Sequence, residues 1–149
     1  MRMSYGRPQV SYKTTNVQTA SQLDLVIMCY ENAVRMLEGT KIAYREGRYQ
    51  DKAKKLEGAL AIIDELKCAL DFDRGGQIAR NLDAIYAYFT RTLLKADVEK
   101  DFDAFDRVIE MMNSLKETWE ELNAAPQKVQ AEEVRNLPPR QSTQVTAAA

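Results

Sequence analysis

Four stretches of this chain repeat apolar residues at the 3.6-residue period of an α-helix, and the links between them are only a few residues long. Few folds satisfy that pattern. Short links make neighbouring helices antiparallel, and each apolar stripe needs a partner, so the expected fold is all-α, an antiparallel up-down four-helix bundle. No stretch alternates with the two-residue period of a strand. Ser21, with an acid at Asp24, reads as the N-cap of a first helix ending near Gly47. A second helix spans about 51–70, with Leu56, Ala59, Leu60, Ile63, Leu66 and Leu70 as its stripe. Asp73-Arg74-Gly75-Gly76 reads as the reversal before a third, over about 77–96, which sets Ile78, Leu82, Ile85, Tyr86, Phe89 and Leu93 in line and leaves Tyr88 at the stripe's edge. Asp101 caps a fourth, whose stripe of Phe105, Val108, Ile109, Met112, Leu115, Trp119 and Leu122 reaches about Asn123.

The first helix is apolar around too much of its circumference. At roughly 100° per residue, Leu23, Val26, Ile27, Tyr30, Val34 and Leu37 fill one arc, and Leu25, Cys29, Met36 and Ala43 fill a second beside it. Together they cover roughly 200°, about twice what one core-facing stripe needs. Asp24, Glu31, Arg35 and Glu38 mark the solvated strip. The second arc meets either another helix of the bundle or a partner, and its residues alone do not choose.

Residues 1–20 form an N-terminal arm, polar and turn-prone, with Arg2, Arg7 and Lys13 but no acid, and with Tyr5, Val10, Tyr12 and Val17 at intervals. Such a segment has no core of its own, so it either docks its aromatics on the body or stays as a mobile arm. The bundle domain, 21–123, holds 15 bases against 20 acids. From 124 to 149 the composition turns to Pro, Gln, Thr and a terminal Ala run, which reads as a disordered tail. An acidic body argues against nucleic acid as a partner. The start leads into polar residues, and the longest apolar run, 25–30, is far too short to span a bilayer, so no membrane insertion is expected and the chain is placed in the cytoplasm.

The 149 residues contain no histidine, which removes the commonest general base, the usual nucleophile-histidine pairs and the carboxylate-histidine metal sites of helical bundles. No catalysis, cofactor or metal is expected. Cys29 and Cys68 lack the C-x-x-C spacing of zinc or redox motifs and read as reduced thiols. Asp97, Glu99, Asp101, Asp103 and Asp106 have the look of a calcium loop, yet the loop's sixth position is Phe102 and its twelfth Val108, so helix capping is the better reading. Tyr30 and Tyr86 read as core residues with hydroxyls at the rim, whereas Tyr88 sits half-exposed beside its stripe, where an aromatic edge suits capture of an amphipathic segment.

A run of motifs in fixed order carries a family resemblance: Thr19-Ala20-Ser21; Leu25 with Met28-Cys29-Tyr30-Glu31-Asn32-Ala33-Val34; Leu70-Asp71-Phe72; Gly75-Gly76-Gln77-Ile78-Ala79; Asn81 through Tyr88; Leu93 through Asp97; and Trp119. Over residues 5–119 the chain resembles the flagellar secretion chaperones that serve flagellin. Cys29 and Asn32 stand where that family more often has Leu and Gly, which predicts a different fit at those two positions. The resemblance implies a chaperone that binds the disordered C-terminal segment of flagellin, holds it from premature polymerisation and passes it to a flagellar export gate component. For such a client, Leu25, Cys29 and Met36 of the second arc are the candidate apolar wall, Asn81 a polar register contact and Tyr88 an aromatic rim; Tyr5 and Tyr12, aromatics in an otherwise polar arm, are the candidate lid. A monomer or weak homodimer is expected; the rival reading is a homodimeric adaptor that spends its second apolar arc on self-association.

Overall fold

The computed structural model describes the backbone of residues 21–136 and the side chains of 21–125 and 135–136. The expected arm and the chain beyond 136 lie outside these described residues, Tyr5 and Tyr12 among them. Four helices follow one another: α1 (Gln22–Arg45), α2 (Tyr49–Cys68), α3 (Phe72–Glu99) and α4 (Phe102–Asn136). Each packs on its chain neighbours and α1 also packs on α4, so the helices stand at the corners of a square with α1 diagonal to α3. Cross-links at both ends fix the antiparallel sense. Near one end Lys41 of α1 pairs with Asp106 of α4; near the other, Asn123 of α4 donates to Asp24 of α1 at 2.6 Å. This is the up-down bundle expected from the periodicity.

Local chemistry sets the helix ends. Ser21 Oγ accepts from the Asp24 amide and the Asp24 carboxylate accepts from the Ser21 amide, a reciprocal capping box that starts α1 where the sequence placed it. Lys100, in the left-handed region at φ 54°, closes α3. The third helix differs from its expected form. Asp71 Oδ1 accepts from the amides of Asp73 and Arg74, so a helical turn already starts at Phe72, and the break falls inside the element at Gly76, with φ 51° and ψ −125°. A side chain there would clash with its own backbone, which is why glycine occupies the kink. The expected reversal over 73–76 is therefore a capped turn followed by a kink.

The fourth helix also departs from its expected length. It continues to Asn136, well past the end anticipated near Asn123, so the boundary drawn at 124 does not mark the end of regular structure. Pro126 lacks an amide proton and forfeits one hydrogen bond of the helix. The residues after it, Gln127-Lys128-Val129-Gln130-Ala131-Glu132-Glu133, are mostly strong helix formers, and their propensity carries the helix through.

The core is built on aromatic and aliphatic side chains from all four helices, with Tyr30, Leu37, Ile63, Phe89, Leu93, Phe105, Val108 and Met112 fully buried. Tyr30 and Tyr86 do not reach the rim as the sequence suggested. Their hydroxyls meet inside the bundle at 2.7 Å, each the other's partner, and burial pushes both phenols up from their ordinary value. Pairing two hydroxyls across the diagonal lets two polar atoms be buried without an orphan.

A second polar knot ties three helices at the opposite end. Tyr44 of α1 donates to the backbone and side-chain oxygens of Asp97 on α3, both at 2.6 Å, and Lys52 of α2 reaches the same carboxylate at 2.8 Å while lying over the Tyr44 ring. Burial alone would raise the Asp97 carboxyl, but the Lys52 ammonium and Tyr44 hydroxyl outweigh it and hold the group below its ordinary value. The hydrogen bond to Asp97 raises Lys52 above its own. A depressed carboxyl stabilises the fold above its unfolded pKa, with the contribution lost as pH falls through the folded value; a raised ammonium stabilises below its unfolded pKa and is lost at high pH. Stability is therefore expected to be flat through neutral pH and to fall below about pH 4. Asp97→Ala should cost about 2 kcal/mol at pH 7 in denaturant titrations and should flatten part of the acid limb.

Candidate functional site

The wide apolar face of α1 divides between two neighbours. Its second arc turns toward α2, where the helices approach closely enough that a Cβ on Gly58 would lie 2.6 Å from the Met36 sulfur. Met36 and Cys29 are half-buried and pack against the core from that side, and Leu25 is half-buried near the start of the helix. Lys41 and Asp24 turn toward α4 and make the cross-links described above. Much of the circumference that looked surplus in the sequence is thus internal contact, with Met28, 52 % exposed, next to the outer edge of the α1–α2 seam.

Another uncovered apolar surface lies on the other side of the bundle, along α3 and α4. The buried side of α3 is Leu82, Tyr86, Phe89 and Leu93, and its flank toward α2 carries Asp83 and Asp97, paired with Lys67 and Lys52. The other flank faces α4: Tyr88, Thr92, Lys95 and Glu99 share a cleft of about 180 Å³ with Ala104 and Arg107. Followed toward the start of α3, helical spacing continues this flank through Ile85, Asn81 and Ile78. Its counterpart on α4 runs Arg107, Met111, Leu115, Thr118 and Leu122, antiparallel to it. The outcome is a shallow groove lined by Ile78 (68 % exposed), Ile85, Tyr88 (36 %), Met111 (37 %), Leu115 and Leu122 (50 %).

Of the residues singled out in the sequence, Asn81 and Tyr88 stand on this groove. Asn81 is exposed and accepts from Gln77 at 2.8 Å, one turn back on the same flank. Leu25, Cys29 and Met36 stand on the α1–α2 side, across the bundle, so these two groups do not come together in one pocket. Two expectations about the core need correction: of the residues assigned to core stripes, Ile78 is mostly exposed and Leu122 half exposed, and both stand on the groove wall. Met111 was missed because adjacent residues on a helix point about 100° apart and the neighbour of a buried residue can fall either inside the core, as Ile109 does beside Val108, or outside it, as Met111 does beside Met112. The kink at Gly76 lies between Phe72 and Ile78, which are both exposed.

No group of histidine, cysteine and carboxylate side chains suited to a metal occurs among the described residues, and none of their helices is long and apolar enough to cross a membrane. The described residues thus combine a packed core with a shallow apolar groove along two helices. The chain belongs to the family of the flagellar protein FliS, whose model matches residues 5–127. It is similar to the flagellar secretion chaperone FliS of Salmonella typhimurium, 33% identical over 116 residues that cover 77% of this chain and 85% of the relative. The proteins of the same name in Vibrio cholerae and Bacillus subtilis are 30% and 24% identical, over 83% and 80% of this chain and 94% and 88% of theirs. These relatives are chaperones, a non-enzymatic class, in agreement with the expectation drawn from the missing histidines.

Proposed function

We propose that this chain is a cytoplasmic export chaperone for flagellin and that the α3–α4 groove receives the client's C-terminal segment. The observation that supports this reading is the line of apolar side chains along two helices, with Ile78, Tyr88, Met111 and Leu122 exposed and Ile85 and Leu115 half-buried at the edge of the core. A segment disordered as a monomer would fold against that row as an amphipathic helix, with the contacts it uses in the filament occupied. Ordering it costs several kcal/mol, so a large contact area coexists with an affinity low enough for release to the export gate. Release needs no nucleotide.

Within this reading Tyr88 forms the aromatic rim and Asn81 sets the register of the bound helix. Leu25, Cys29 and Met36 supply a smaller contact on the opposite side of the bundle, which a client reaches only by passing around it. The arm acts as a lid through Tyr5 and Tyr12, shielding apolar surface until flagellin displaces it. Deleting residues 1–15 is expected to raise binding of a surface-hydrophobic dye and to tighten the affinity for flagellin; if both stay unchanged, the lid assignment fails.

The function itself is tested by titrating the full chain with a flagellin C-terminal peptide in a calorimeter, beside native mass measurement. Micromolar or tighter binding to a monomeric bundle is the expected result. No binding at that concentration, together with a stable dimer, would favour the adaptor reading instead.

A further inference from the structure

We infer that the α3–α4 groove accepts its client helix in one direction only, because its two rims carry opposite charge. This rests on the proposal that the groove is the client's seat. Along the α3 rim stand Arg80, Arg91 and Lys95, all exposed and, at spacings of eleven and four residues, on one face of the helix. Arg91 and Lys95 make no ion pair among the described residues, and the one hydrogen bond of Arg80 is a long one to Gln77, at 3.4 Å. The acids of this stretch are turned away: Asp83 pairs with Lys67 and Asp97 with Lys52, both toward α2. The α4 rim has the opposite sign, with Asp103, Glu110, Glu117 and Glu121 exposed and none of them ion-paired among the described residues. Glu110 lies against the apolar lining itself, in one depression with Met111 and Leu115. The signs mix only at the Tyr88 end, where Lys95 and Arg107 share the cleft with Glu99 and Asp101.

A helix lying with its apolar face down presents one polar edge to each rim. Turning it end for end, apolar face still down, exchanges the edges. A client helix with acids along one edge and bases along the other is therefore attracted in one direction and repelled in the other. The occupant that fits is an amphipathic helix with its acidic edge over α3 and its basic edge over α4. The apolar floor supplies most of the affinity, and the rims decide polarity and register.

The test uses two charge reversals of exposed residues in the full chain: Arg80→Glu with Arg91→Glu and Lys95→Glu on one rim, and Glu110→Lys with Glu117→Lys and Glu121→Lys on the other. They move the net charge of the protein in opposite directions. A mere net-charge effect would weaken binding of the flagellin C-terminal peptide in one variant and strengthen it in the other. The inference predicts that each weakens it by about tenfold or more at low salt, and that combining them recovers most of the loss. A nitroxide at the peptide's N-terminus should broaden signals at one end of α3 in the wild type and at the other end in the combined variant. Opposite effects of the two reversals, no effect of either, or an unchanged nitroxide position would overturn it while leaving the flagellin reading intact. Failure of the wild type to bind removes that reading first. Thermal melts of each variant check that the bundle is folded, and the wild type alone gives a second readout: its affinity should fall about tenfold between 0.05 and 0.5 M salt.

Discussion

Tyr88→Asp combined with Met111→Asp is expected to weaken binding of the flagellin C-terminal segment by 100-fold or more, with the melting temperature close to that of the wild type. Both side chains are more than a third exposed, so neither substitution buries a charge in the free protein. In the complex both aspartates would face an apolar helix surface and lose their water, a penalty on the scale of an interface hot spot, about 2 kcal/mol or more for each. The two residues stand on opposite walls of the groove, one on α3 and one on α4, which makes the pair more informative than either alone. Fluorescence anisotropy with a labelled peptide gives the affinity, and circular dichroism melts separate lost binding from lost fold.

Phe105→Ala should act in the opposite way, collapsing stability before it touches recognition. Phe105 is fully buried at the start of α4 and meets the ring of Tyr44 at 6.5 Å, next to the knot that joins α1, α2 and α3. Removing the ring costs its transfer energy and leaves a cavity, about 3–5 kcal/mol in all. A domain of this size is stable by about 5–15 kcal/mol, so chemical denaturation should show a midpoint shift comparable to a large share of the total. At temperatures where the variant is folded, its affinity for the client should differ little.

The contrast between these two variants separates what was legible in the sequence from what was not. The periodicity of Leu82, Tyr86, Phe89 and Leu93 placed α3's buried face correctly, because core burial selects large apolar residues at every turn. Ile78 and Leu122 obey the same period and yet stand exposed. A stripe edge and a stripe centre use the same residue types, and only the spacing between neighbouring helices decides which edge is covered. The second arc of α1 shows the converse. Its apolar width was visible, but whether α2 would cover it depended on Gly58, a residue on another helix whose lack of a side chain lets Met36 pack closely. Charge patterning needed the fold as well: α3 contains acids and bases alike, and its cationic rim exists because Asp83 and Asp97 turn to lysines of α2. The length of α4 was not legible for a local reason: Pro126 interrupts helical hydrogen bonding, the residues after it favour a helix, and neither signal alone fixes the end.

If the α3–α4 groove is the seat of the client, its backbone should become the most protected part of the surface when flagellin binds. Amide hydrogen exchange of the full chain, free and saturated with the flagellin C-terminal segment, measures this directly. Slowed exchange over residues 78–92 and 107–122, with smaller changes along the α1–α2 seam, is the predicted result. Protection confined to α1 and α2, with residues 78–92 exchanging as in the free protein, would contradict it.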